Sequence, residues 1–452
     1  MSVETTLVPP PGSVRPFDVT HRMAIAIAVP MTIGGVTTPL VGITDMAVIG
    51  RLGDAALVGA VALGALLFDF LGTTFNFLRM GTTGLVAQAL GAEDLAEQRA
   101  VLWRALLIAA VAGLAIVALQ GPILWAFERA MGASEAVDAA TAAYFEVRVL
   151  ALPVMFATSV ILGWLLGQAL AGRALVLQFL LAGANIVLSV WFVLGLGWGI
   201  AGVAAASVAA EVIAFLAGIA LVARVLGPAI RPRLSEVMAV AAFGRMIVVN
   251  RDIMIRSIVL MAAFTIFAAI GARGGDAILA ANAILMNFIL VAAFFLDGLA
   301  AAAEQLAGRA VGARWRPAFD RAVSLTVVWG FVVAAVLSAA FHLAGGLAID
   351  LMTTADDVRA VAREFLPWAA LCPLAGVLAY QMDGVYIGAT WTRTMRDMML
   401  LSFALFAVAA AVAAPILGNH GLWLALWVFL GARGITLLSQ IPRRAAATFP
   451  AG

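Results

Sequence analysis

Apolar residues in this chain come in long runs, not in stripes. Twelve stretches are mostly apolar over the roughly 20 residues that a helix needs to cross a bilayer. They fall at 23–49, 55–78, 102–127, 144–171, 175–196, 199–223, 247–270, 277–303, 322–343, 365–389, 398–417 and 422–438. Polar residues gather in the short connections between them, instead of recurring every third or fourth position as on a surface helix of a soluble protein. The pattern predicts an all-α integral membrane protein with twelve transmembrane helices.

Composition agrees. The 452 residues are 64% hydrophobic and only 12% charged, too few charges to cover a soluble domain of that apolar content. All 27 basic residues are arginine. Most lie in alternate connections: Arg99 and Arg104, Arg173, Arg224 to Arg245, Arg309 to Arg321, Arg393 and Arg396, Arg443 and Arg444. The positive-inside rule then places both termini in the cytoplasm, and the basic balance does not point to nucleic acid. A single Cys372 excludes an internal disulfide. His21, His342 and His420 are far apart and make no metal-ligand pattern, so no metal or cofactor is expected. The Pro-rich segment 1–21 reads as a disordered cytoplasmic tail and not as a cleaved secretory signal, so the chain should stay in the membrane.

The chain repeats itself. IGRLGDAALVGAVAL at 49–63 resembles IGARGGDAILAANAIL at 270–285, an offset of 221 to 222. AQALGAED (87–94) falls opposite AGRAVGAR (307–314), and FEVRVLALP (145–153) opposite FLPWAALCP (365–373). Each half holds an even number of spans, so both enter the membrane in the same sense. That is a parallel repeat with its pseudo-two-fold axis along the bilayer normal. The organisation expected is a six-helix lobe at 22–224, a cytoplasmic linker at 225–245, a second six-helix lobe at 246–440 and a tail at 441–452, with a central cleft between the lobes.

Within this frame the first span stands out. It carries one carboxylate, Asp45, preceded by two prolines, Pro30 and Pro39. Proline removes a backbone donor and crowds the preceding turn, so the helix has two hinge points. An ionisable residue inside a span is costly and marks a functional site by default. Burial makes a carboxyl group easier to protonate, which suits Asp45 to carrying a proton. The plain alternative is a carboxylate that merely reaches water near the headgroups.

PLVGITDMAVIGRLGDAALVGAVALG (39–64), FLRMGTTGLVAQALGAEDL (77–95), NRDIMIRS (250–257), LDGLAAAAEQLAGRAVGAR (296–314) and MDGVYIGAT (382–390) resemble the multidrug and toxic compound extrusion (MATE) transporters of the DinF-like branch. The resemblance implies a secondary active exporter that exchanges a lipophilic, often cationic, small molecule for protons or sodium by alternating access. It implies a bacterial cytoplasmic (inner) membrane protein, monomeric, with no nucleic-acid partner and no enzymatic activity. An essential aspartate on the first helix falls on Asp45, and a hinge proline on Pro30. The companion positions fall on Asn185, Ser189 and Ser207. Ser189 stands where relatives carry a second aspartate. One carboxylate fewer is a poorer cage for a hard cation, which favours H+ over Na+ as coupling ion.

Further polar positions are candidates beside plainer readings. Glu211 lies mid-span and must be protonated, paired or facing water. Asp297 and Glu304 are seven apart on one face of the eighth span, with Asp383 on the tenth at comparable depth. Asp252 and Arg256 complete a second-lobe cluster that is either functional or, in the plainer reading, a network holding the inner helix ends together with these two as an i,i+4 pair. Asp69, Asn76 and Arg79 run down the second span, Arg79 snorkelling to the interface. Phe75, Met80, Phe288, Phe294, Phe295 and Met382 either line an adaptable cavity or pack and face lipid. A flippase of lipid-linked precursors is the competing function; it calls for cavity-facing arginines, whereas arginine here is expected mainly at helix ends.

Overall fold

The structure is a computed structural model that describes residues 14–449; the first part of the expected N-terminal tail lies outside them. Among the described residues every regular element is helical. Twelve helices are long and apolar enough to cross a membrane: α1 (His21–Gly50), α2 (Ala55–Gly91), α3 (Leu95–Ala118), α4 (Glu135–Gly167), α5 (Ala171–Gly195), α6 (Gly199–Leu226), α7 (Val240–Ala272), α8 (Asp276–Gly312), α9 (Arg316–Met352), α10 (Asp356–Gly388), α11 (Thr392–Leu417) and α12 (Asn419–Thr448). Side-chain caps start several of them. The Asp54 carboxylate accepts from Ala56 N–H at 2.8 Å, and Asp94 from Glu97 N–H at 2.9 Å.

Helix ends differ from the hydropathy runs. The expected second span stops at residue 78, yet α2 continues to Gly91 because this polar, glycine-bearing turn is buried against the other lobe. The expected third span is instead two helices, Leu95–Ala118 and Gln120–Met131, with the break at Leu119 ahead of Pro122. Tertiary contacts also order parts of both tails. Arg15 N–H donates to the Ala313 carbonyl at 2.9 Å, and Phe17 lies against the Arg309 guanidinium, 4.5 Å from ring centre to Cζ. At the other terminus α12 runs to Thr448, with Ala445 and Phe449 buried.

The connection between α6 and α7 is pinned to the first half. The buried Arg104 of α3 donates to the carbonyls of Val237 (3.1 Å) and Glu236 (2.7 Å), and its other face pairs with Glu97. Arg99 bonds the Glu236 carboxylate at 2.5 Å and holds its carboxyl below the usual range.

Backbone geometry repeats at the offset seen in the sequence. The non-glycine residues with left-handed φ among those described are Glu93 (54°), Ala169 (59°), Arg314 (53°) and Thr390 (54°). Glu93 pairs with Arg314 and Ala169 with Thr390 at 221 residues. Each ends a helix, and the same capping bond recurs: Asp94 N–H to Ala89 O and Trp315 N–H to Ala310 O, both helping to close the helix end. An L-residue in this region is strained, so Ala169→Gly is expected to stabilise the fold by about 1 kcal/mol. A thermal unfolding midpoint in detergent that failed to rise would remove strain from this helix end.

The halves meet through the same repeat. A Cβ on Gly91 would lie 2.0 Å from the Arg309 carbonyl oxygen, and one on Gly312 would lie 1.9 Å from the Gln88 carbonyl oxygen. Each half thus presents a glycine to the other's backbone. Gln88 adds a bond across the seam, its side-chain amide donating to the Gly388 carbonyl at 2.9 Å. These approaches sit at the arginine-rich ends of α2, α8 and α10 and seal the halves together there. Above this floor the halves enclose a cavity.

Candidate functional site

The cavity has a volume of about 1010 Å³ and is lined from both halves. Its floor is near Glu304 and Ile387, and it extends along α1 to Asp45 and Met46. Its wall is glycine-rich on α1, where Gly34, Gly35 and Gly42 line it. α1 remains one helix through Pro30 and Pro39. Near the second proline, the Thr37 hydroxyl donates to the Gly34 carbonyl at 2.7 Å.

Asp45, Asn185, Ser189 and Ser207 come together from α1, α5 and α6. Ser189 Oγ donates to Asp45 Oδ1 at 2.7 Å, and Asn185 Nδ2 donates to Ser207 Oγ at 3.0 Å. Ser189 Oγ also lies 3.4 Å from Asn185 Oδ1, which sets the two bonds side by side. All four side chains are buried. Asp45, Asn185 and Ser207 line the cavity, so the carboxylate faces neither lipid nor bulk solvent.

A cation that sequence reasoning passed over shares the cavity with this group. Arg148 of α4 lines the cavity, stacks over the Phe68 ring at 4.4 Å and donates to the Tyr144 hydroxyl. It shares the cavity lining with Asp45, Asp69 and Glu211. Pro153 has no N–H for the Val149 carbonyl, and α4 tightens into a 3₁₀ turn at Val149–Ala151, just after Arg148. A lone arginine within an apolar run was the available signal. Glu211 also lines the cavity, and its Oε2 makes no hydrogen bond.

The second half arranges its polar groups differently. Asp383 Oδ2 accepts from Arg433 Nη2 at 2.6 Å and from Arg256, and all three side chains are buried. Arg256 therefore reaches α10 and does not make the i,i+4 pair with Asp252. Asp252 instead pairs with Arg251 and Arg396, each at 2.9 Å, away from the cavity lining. Asp297, Glu304 and Asp383 do line the cavity. So do Asp69, Asn76 and Arg79; Arg79 points inward and bonds Asn76 Oδ1 at 3.1 Å instead of snorkelling out. Arginine is thus not confined to helix ends, because Arg79, Arg148 and Arg256 all face the cavity. Of the apolar candidates, Met80 and Phe294 line it. Phe75 stacks on Phe156, Phe288 and Met382 are core, and Phe295 is exposed.

The family profile MatE matches this chain twice, at residues 30–191 and 253–413. The chain belongs to the MatE family. These multidrug and toxic compound extrusion proteins are membrane transporters, not enzymes. The double match falls on the two halves of the repeat. DNA damage-inducible protein F of Escherichia coli (strain K12) is 39% identical over 422 residues, covering 91% of this chain and 90% of that protein. Protein DETOXIFICATION 44, chloroplastic, of Arabidopsis thaliana is 24% identical, over 90% of this chain and 80% of that protein. Among solved structures, a MATE protein in a straight conformation superposes with a TM-score of 0.84, at 19% identity over 95% of this chain and 97% of that one. Its bent conformation gives 0.83, at 19% identity over 94% and 96%. The MATE fold of this chain, twelve helices in two six-helix halves about a central cavity, is therefore that of a multi-pass small-molecule transporter.

Proposed function

We propose that this MATE transporter exports lipophilic cations from the cell in exchange for protons, by alternating access. The observation that carries the reading is the buried Asp45, held by Ser189 at the cavity wall on a helix with two prolines. A titratable group that is shielded from solvent yet opens onto the cargo space couples the charge of one to the occupancy of the other. Six carboxyl groups line the cavity (Asp45, Asp69, Glu211, Asp297, Glu304, Asp383) against three guanidinium groups, with a fourth, Arg433, bonded to Asp383; the remaining excess of acid favours a cationic cargo over the polyanionic lipid of a flippase. The neutral hydroxyl of Ser189 supports H+ over Na+. It donates its hydrogen to Asp45, leaving one carboxylate to balance a cation.

In this mechanism the ionised Asp45 favours bound cargo along the straight α1. Protonation from outside removes that attraction, α1 bends near Pro30 or Pro39, the cavity narrows and the cargo leaves. Coupling requires that proton and cargo differ in affinity for the two arrangements, at about 1.4 kcal/mol for each tenfold shift in population. The bacterial inner membrane and cytoplasmic termini complete the reading, with the sealed arginine-rich end inside and the cavity reaching outward. The domain limits 22–224, 225–245 and 246–440 belong to it as well.

Reconstituted vesicles loaded with a fluorescent lipophilic cation, under an imposed pH or sodium gradient, test this. An inside-directed proton gradient is expected to drive efflux. Asp45→Asn, still monodisperse, is expected to lose the driven component by about a hundredfold, the scale of losing a proton-transfer group. Efflux driven by sodium alone would overturn proton coupling, and undiminished coupled efflux by Asp45→Asn would remove Asp45 from the mechanism.

A further inference from the structure

A second cavity, of about 490 Å³, lies at the arginine-rich end, outside the transport cavity. It is formed by the start of α7, the α10–α11 turn, the first turn of α11 and the end of α12. Three arginines line it, Arg245, Arg393 and Arg444, against one acid, Asp252. Asp252 is already paired twice, with Arg251 and Arg396. Arg245 has a long contact to Glu97 at 3.4 Å, while among the described residues no carboxylate forms an ion pair with Arg393 or Arg444.

Two further features suit this cavity to an anion. First, α11 begins here without a side-chain cap. The N–H groups of its first turn have no carbonyl a turn earlier, and the helix dipole adds positive potential. Second, Thr394 lines the cavity, is 5% exposed, and its Oγ1 has no hydrogen-bond partner. A buried hydroxyl without a partner is costly, and an anion oxygen would satisfy it.

Exposed apolar side chains continue from the cavity into the spans: Ile247 and Val248 on α7, Leu400 and Leu401 on α11. An anion with acyl chains would cover both features, whereas a soluble anion would cover only the first.

We propose that this cavity binds the phosphate of an anionic membrane phospholipid, gripped by Arg245, Arg393, Arg444, the open start of α11 and the Thr394 hydroxyl. The acyl chains lie along α7 and α11. The lipid ties α7, α11 and α12 together at the sealed end, independently of what the transport cavity carries.

The test is lipid binding to the purified, delipidated full-length chain by native mass spectrometry, titrating phosphatidylglycerol against phosphatidylcholine. Phosphatidylglycerol is expected to bind tighter, and Arg393→Gln with Arg444→Gln to weaken it by about tenfold or more. Thr394→Val should weaken it without altering charge, and Arg316→Gln with Arg321→Gln, at the same membrane level, should not. Equal phosphatidylglycerol affinity in the Arg393/Arg444 variant would overturn the site. Inorganic phosphate that displaced the lipid at matched concentration would overturn the lipid in favour of a soluble anion. Neither readout involves transport, so failure here leaves the efflux reading untouched, and the converse holds.

Discussion

Gly312→Ala is expected to hold the arginine-rich ends of the two halves apart. The added methyl carbon would fall 1.9 Å from the Gln88 carbonyl oxygen, which is backbone and has no rotamer into which to retreat. In an isolated helix the same change would be stabilising by about 1 kcal/mol. Here it opposes a packed interface, where overpacking costs about 1–3 kcal/mol. At 1.4 kcal/mol per tenfold, the sealed arrangement loses about one to two decades of population. The measurement is thiol labelling of Ala87→Cys, a buried seam position, in a Cys372→Ala background that removes the chain's single cysteine. Labelling should quicken by about tenfold or more and driven efflux should fall. Gly91→Ala should do the same, because its methyl would meet the Arg309 carbonyl oxygen at 2.0 Å in the symmetry-related contact. Unchanged labelling in both variants would mean that the seam is loose.

The part of this protein that was legible in its sequence was the part written along single helices. A span announces itself because every residue on it must meet lipid or protein without water, so the runs predicted twelve helices and the structure has twelve such spans among the described residues. The repeat was equally readable, and the left-handed helix ends at Glu93 and Arg314 show that the backbone keeps it even where side chains differ. Span ends were less legible. The turn from Arg79 to Gly91 is too polar to read as membrane helix, and what holds it helical is packing on α8 and α10.

Pairings between helices were not legible at all from spacing. Asp252 and Arg256 sit at the separation that makes helix neighbours, yet each has a better partner elsewhere: Arg396 for one, Asp383 for the other. Nothing along the chain links residue 45 to residues 185, 189 and 207. The resemblance supplied that grouping, and the adjoining hydrogen bonds from Ser189 to Asp45 and from Asn185 to Ser207 give it geometry. Arg148 and Arg433 carried a signal that went unread: a single arginine inside an apolar run has to find a partner or a cavity.

Arg433 leads to the largest stability effect expected. Asp383→Asn should destabilise the protein by about 3–5 kcal/mol, because it leaves two buried guanidinium groups facing each other with their shared carboxylate gone. Arg256 comes from α7, Asp383 from α10 and Arg433 from α12, so this junction joins three helices of the second half. The loss should appear as a lower thermal unfolding midpoint in detergent, and salt should recover little of it because the groups are buried. The paired charges need not contribute much stability themselves; what is costly is breaking the set. Replacing Arg256 and Arg433 by methionine in the Asp383→Asn background should therefore recover most of the lost stability. If Asp383→Asn melted with the parent, the carboxylate would not be what holds these two arginines in the protein interior.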